Sequence, residues 1–221
     1  VAGAVLALSA SAANAGIIIP AGDWTVDLGG NVNAFLANVD TETTTGAGVR
    51  TKSSATNTIG TGLLPAALGI GAKTRQNDLD VAFTISINPG TSTKNGGIQN
   101  AGTPAQENRQ AFMTFGDKSW GSIKIGKDLG IYASDAILND MTLLGVGGTL
   151  NNSTSAGNTT LGRIGTGYIY AAGKGQVAYT SPNFNGFSFT AGITNPNQGF
   201  GTENQDRFGL EGKASYAFTG D

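Results

Sequence analysis

The residues able to do chemistry are few, and two kinds are missing. The 221 residues include 13 Lys and Arg, 15 Asp and Glu, and no His or Cys. Without imidazole there is no Ser-His-Asp triad, ring-nitrogen base or His-ligated metal. Without thiol there is no thiolate nucleophile, iron–sulfur cluster, disulfide or zinc finger. No two carboxylates stand together with the neighbours an acid/base pair needs. No catalytic residue, metal ligand or cofactor is therefore assigned, and a secreted carboxylate hydrolase has nothing to rest on. The net charge of −2 argues against nucleic acid as a partner, because a phosphate backbone is gripped by clustered Lys and Arg.

One run imitates a nucleotide site. Gly121, four residues, and then Gly126-Lys127-Asp128 nearly match the phosphate-cradling GxxxxGK[ST] loop. The hydroxyl that would hold Mg²⁺ is replaced by a carboxylate that repels phosphate. The segment also alternates like a strand instead of opening a helix. Gly162-Arg163-Ile164-Gly165-Thr166-Gly167 is too loose for a dinucleotide fingerprint.

Composition says what must position the few charges. Charged residues are 13% of the chain, against about 25% in ordinary soluble proteins. Glycine contributes 35 residues, and Ser, Thr, Asn and Gln fill much of the rest. No run approaches 18 consecutive apolar residues, so a membrane role has to use β-strands.

Strands are what the pattern shows. Trp24, Val26, Leu28, Val32 and Ala34 fall on one face of Asp23–Ala34, and Asp23, Thr25, Asp27, Asn31 and Asn33 on the other. Leu79, Val81, Phe83, Ile85 and Ile87 oppose Asp80, Ala82, Thr84, Ser86 and Asn88. Phe208, Leu210, Ala214, Tyr216 and Phe218 oppose Arg207, Glu211, Lys213 and Ser215. Weaker alternation runs through Leu68–Arg75, Asn108–Phe115, Ser122–Leu129, Gln176–Ser181 and Phe187–Ile193. This makes about eight strands, close to the roughly 9–11 residues that cross a bilayer at a tilt. Trp24 and Trp120 fall at strand ends, where interfacial aromatics anchor.

The connections come in two lengths. Gln76-Asn77-Asp78, Gly116-Asp117-Lys118 and Asn185-Gly186 read as tight turns. Asp40–Gly60, Asn88–Gln106, Leu129–Gly162 and Thr194–Gln205 read as long polar loops. Their alternation puts every long loop on one side, as in transmembrane barrels. The third long loop has helical character over Ile131–Met141, with Ser134 as the expected N-cap. A loop of that length is uncommon unless it is functional.

Val1–Leu8 are apolar and Ser9–Ala15 read SASAANA, the core and cleavage site of an export signal. Residues 1–15 are expected to be the remnant of that signal, and 16–221 the working domain. An exported chain without Cys fits a bacterial envelope better than a disulfide-stapled secreted protein.

Three pieces resemble the trimeric general porins of Gram-negative outer membranes. The first is Asn108-Arg109-Gln110-Ala111-Phe112 through Gly121-Ser122-Ile123-Lys124-Ile125-Gly126-Lys127. The second is Ser134-Asp135-Ala136 with Asn139-Asp140-Met141. The third is Tyr179-Thr180-Ser181-Pro182-Asn183-Phe184-Asn185-Gly186-Phe187. Their order and spacing are the family's. The resemblance implies an all-β antiparallel transmembrane barrel, of which this chain supplies roughly the N-terminal half of 16 strands. It implies a third loop folded into the lumen, a homotrimer among outer-membrane lipids, and passive diffusion of small hydrophilic solutes and ions without enzyme chemistry.

In that family, loop carboxylates face a ladder of cations on the barrel wall. Carried over by position, the expected cations are Arg109, Lys124 and Arg163, and the loop acids are Asp135 and Asp140. Arg109 is placed in the lumen by opposite parity to an outward Phe112. Many relatives carry a lumen Arg where this chain has Ala67, and Lys73 and Arg75 are the expected substitutes. Leu144 stands where a second loop acid is usual, so selectivity is expected to tilt toward anions. Lys127 is expected to point outward. The competing reading is a small closed barrel of about eight strands, structural or adhesive, filled by its own side chains.

Overall fold

The computed structural model describes residues 16–39, 42–52, 56–61, 66–90, 106–139, 171–196 and 206–218. Residues 1–15, Asp140, Leu144 and Arg163 lie outside the described residues. The elements are β1 (Ile17–Ala21), β2 (Trp24–Asn31), β3 (Ala34–Val39), β4 (Glu42–Thr44), β5 (Arg50–Lys52), β6 (Thr56–Thr61), β7 (Ala67–Gln76), β8 (Leu79–Pro89), β9 (Gln106–Glu107), β10 (Ala111–Asp117), β11 (Gly121–Leu129), α1 (Ser134–Leu138), β12 (Gly173–Thr180), β13 (Phe187–Thr194) and β14 (Gly209–Tyr216). No described helix is long and apolar enough to cross a membrane.

All eight expected strands are present. With β1 and the short β9 they form one ten-stranded antiparallel sheet, in the order β1-β2-β7-β8-β10-β11-β12-β13-β14, with β9 on β8. Among the described residues the sheet is open, with β1 and β14 at its edges. The connections at one end are the 22–23, 77–78, 118–120 and 181–186 segments. The opposite end carries the long ones. Asn77 and Asp78 both have positive φ, as do Asn185 and Gly186, the geometry that lets a two-residue turn follow strand twist.

Four expectations change. The first strand stops at Asn31, because beyond the Asn31–Ala67 pair two residues face five before Ala34 meets Thr61. Pairing cannot stay in register across that mismatch, and β3–β6 is a separate two-stranded sheet. Residues 40–60 are not simply a loop. β3–β6 and β4–β5 continue the hairpin, the latter with Glu42 opposite Lys52. Thr-rich strands with polar residues on both faces show no apolar alternation. The turn expected at 116–118 begins later: Gly116 and Asp117 still pair, and Asp117 then accepts from the backbone N–H groups of Ser119 and Trp120. Finally, Ser134 is not the N-cap. Ala133, at φ 63°, precedes the helix, and the Ser134 hydroxyl donates to the Ile131 carbonyl instead.

Cross-strand partners share a face, so the register sorts the sheet into two sides. One row across nine strands is Ile19, Val26, Ala72, Phe83, Met113, Ile125, Val177, Ile193 and Leu210. The adjacent row, on the other face, is Thr25, Lys73, Ala82, Thr114, Lys124, Ala178, Gly192 and Glu211. The exposure of the two faces is the reverse of a water-soluble sheet. Met113, Ile125 and Val177 are 43–44% exposed, whereas Ser86, Asp128, Lys174, Gln176 and Thr194 are all below 8%. Apolar side chains face out and polar ones are packed in. Trp120, Tyr179, Phe187, Phe189 and Tyr216 gather near the short-turn end of the apolar side, with Tyr179 and Phe189 rings 5.9 Å apart. The Tyr179 hydroxyl donates a hydrogen bond to the Trp120 carbonyl. Trp24, at the start of β2 by another short turn, lies against Phe83.

Candidate polar wall and docked connection

The polar face is where the charged residues meet, and glycine and threonine make room for them. Lys124 sits on β11 with Gly126 and Asp128 after it on the same face. Gly126 has φ 128°, and a Cβ there would stand 2.3 Å from the Ala111 carbonyl oxygen. With no side chain in the way, Lys124 lies along its own strand and ion-pairs with Asp128. Its ammonium is 4.7 Å from the centre of the Phe112 ring. Asp128 is buried, and its other oxygen accepts from Gln110 Nε2 at 2.9 Å.

A second pair lies further round. Lys174 on β12 reaches Glu211 on β14 at 2.6 Å, and both side chains are largely buried. Glu211 also accepts from Thr194 Oγ1 and from the backbone N–H of Tyr132. Tyr132 belongs to the connection after β11. That connection leaves the sheet at Gly130, whose N–H donates to the Ala172 carbonyl, and reaches the polar face of β14. There Lys213 pairs with Asp135 of α1 at 2.8 Å and donates to Ser134 Oγ. Ile131, Ser134 and Ile137 are buried beneath the connection. The described start of the third long connection thus folds onto the polar face.

The expected site residues divide as follows. Lys124 is on the polar face, but its partner is Asp128 of its own strand. Asp135 meets Lys213, not Lys124. Lys73 is also on this face, exposed, and forms no ion pair among the described residues. It shares the polar row with Lys124, three strand spacings away. That is about 14 Å, more than one Debye length of about 10 Å at 0.1 M salt. Arg75 is at the short-turn rim, ion-paired to Asp80 at 2.8 Å and Asp117 at 2.9 Å. Phe112 pairs with Gly126 on the polar face and does not point outward as expected, so parity does not place Arg109 in the lumen. Arg109 precedes β10, outside the paired residues, and Gln110 is the residue that continues the Phe112 side onto Asp128. Lys127 shares the apolar-side row of Ala111 and donates to the Asn108 carbonyl, as expected for an outward residue. Gly121–Lys127 is strand, which dismisses the nucleotide loop.

The residues that sequence reading left out of the site are Asp128, Lys174, Glu211 and Lys213. Glu211 and Lys213 were legible as wet-face positions of the last strand. Nothing in the sequence linked them to a connection some 80 residues earlier.

Among the described residues the wall holds no nucleophile with a base. It is a sheet face of short polar side chains crossed by paired charges. A sequence family described as Gram-negative porin matches residues 2–221 of the chain. No curated protein matches it.

Proposed function

Because the chain belongs to the Gram-negative porin family, a family of the outer membrane, we propose that it forms the wall of a water-filled channel through which small hydrophilic solutes and ions diffuse passively. The observation that carries this reading is the inverted sheet. An exposed apolar face beside a buried polar one is unfavourable in water and natural for a wall with lipid on one side and an aqueous lumen on the other. The aromatics near the short-turn end suit a membrane interface.

In this reading the sheet is part of a closed barrel of about 16 strands. Residues 1–15 are an export signal, and the whole protein is a homotrimer. The connection after β11 narrows the pore. Lys73, Lys124, Arg109 and Arg163 line the wall, Asp135 and Asp140 lie on the connection, and Arg75 belongs to the periplasmic rim. The chemistry is selection by size and charge, with no bond made or broken. Among the described residues the nine-strand path ends on β1 and β14 without closing, which gives no support to a small closed barrel of eight strands.

The test is reconstitution of the full-length protein. In planar bilayers it should give stepwise, ohmic conductance. In liposomes it should admit sugars at rates that fall with their size. Cross-linking in mild detergent should stop at three copies. A protein that inserts and leaves the bilayer silent is not a diffusion channel.

A further inference from the structure

The lysines on the polar face of β11, β12 and β14 are closed into ion pairs, and one of these pairs changes where ionic selection should be sought. This inference rests on the channel reading above. Lys124 is the wall cation that sequence comparison would favour as a source of anion preference. Its geometry points the other way. Gly126 leaves a bare strip of backbone, Phe112 supplies a ring 4.7 Å from the ammonium, and Asp128 closes the far end. The carboxylate is itself held: it is 6% exposed and accepts from Gln110. Four residues on three sides therefore keep the lysine flat on the wall.

We infer that Asp128 is a specificity-determining residue of the channel: by holding Lys124 down, it cancels much of that lysine's effect on passing ions and leaves Lys73, which has no ion pair among the described residues, as a wall cation that still acts on them. A lone unit charge acts over distance as 1/r, but two opposite charges in contact act as a dipole. At about 7 Å the pair retains less than about half of the lone charge's effect on an ion, and near zero broadside. Lys174 and Lys213 are likewise closed by Glu211 and Asp135. Lys73 has no ion-pair partner among the described residues: Thr25 and Ala82 stand directly across from it, Asp27 lies diagonally on the same face of β2, and Asp80 on β8 is taken by Arg75.

The experiment measures reversal potentials across a planar bilayer under a KCl gradient, using the full-length protein. Asp128→Asn frees Lys124 and should raise the chloride-to-potassium permeability ratio by about three- to sevenfold, because one unit charge about 7 Å away in water favours chloride and disfavours potassium by about two- to threefold each. The double variant Lys124→Gln with Asp128→Asn should keep the wild-type ratio. Lys73→Gln should lower it by about the same factor. An unchanged ratio in Asp128→Asn overturns the inference, as does a double variant that loses anion preference as fully as Lys73→Gln. Should Asp128→Asn fail to fold with an unpaired lysine, the double variant decides alone, since it buries no charge. These outcomes are separate from the channel reading itself, which fails only if the wild-type protein conducts nothing.

Discussion

Lys213 on β14 and Asp135 in α1 are 78 residues apart in sequence and 2.8 Å apart in space. With the Tyr132 N–H on Glu211, this contact fixes the start of the third long connection to the polar face. The two contacts differ in depth. The Lys213–Asp135 pair is partly exposed, whereas Lys174–Glu211 is largely buried.

That difference sets the size of two mutational effects. Asp135→Asn should cost under about 1 kcal/mol, as exposed pairs do. Glu211→Ala should cost about 3–5 kcal/mol, because it takes the carboxylate away from a buried lysine and removes an acceptor from the connection. Urea unfolding in lipid vesicles measures both. Equal small losses would mean that Glu211 is not the anchor.

Gly130 has no room for a side chain. A Cβ would stand 2.5 Å from the Ala171 carbonyl oxygen and 2.8 Å from Lys174 Cε. Gly130→Val should lift the connection off the wall while the strands stay paired. Limited proteolysis should then cut within residues 131–139 faster than it does in the wild type. An unchanged rate would show that the connection is held without this close approach.

The face assignment predicts an asymmetry between adjacent residues. Ile125→Lys places a charge in the lipid-facing row and should cost about 2–4 kcal/mol if that row lies at mid-depth. Thr114→Lys, on the polar row, should cost less than about 1 kcal/mol, as surface changes generally do. Reversed costs in vesicle unfolding would mean that the two faces are exchanged.

Trp24 and Trp120 lie by short turns at the same end of the sheet. Lipids brominated near the headgroup should quench both more strongly than lipids brominated near the chain ends. Comparison of wild type with Trp24→Phe and Trp120→Phe assigns the signal. Stronger quenching from the deep bromines would remove the interfacial placement.

What was legible in the sequence was what alternation encodes. The eight strands and the order of short and long connections came from apolar residues at every second position. β4, β5 and β6 escaped because their threonines and charges carry no such contrast. The site was less legible for a different reason. Parity says which face Lys124 is on, but not that Gly126 lets it lie flat toward Asp128. The Phe112 error has the same root: an aromatic residue was read as lipid-facing, when on this wall its ring serves as a platform for a cation. Contacts such as Glu211 with Tyr132 depend on the path of a connection across several strands, and no local pattern records that path.

The alternation of short and long connections also implies an order of assembly. Each main strand pairs with the next main strand in the chain, so the wall can grow hairpin by hairpin. The docked connection breaks that locality. It leaves after β11 but lands on Glu211 and Lys213 of β14, which do not exist as a surface until β12, β13 and β14 have paired. Closing such a distant contact is slow relative to adding a neighbouring strand. The start of the connection is therefore placed after the wall it rests on, and an undocked wall precedes the docked one.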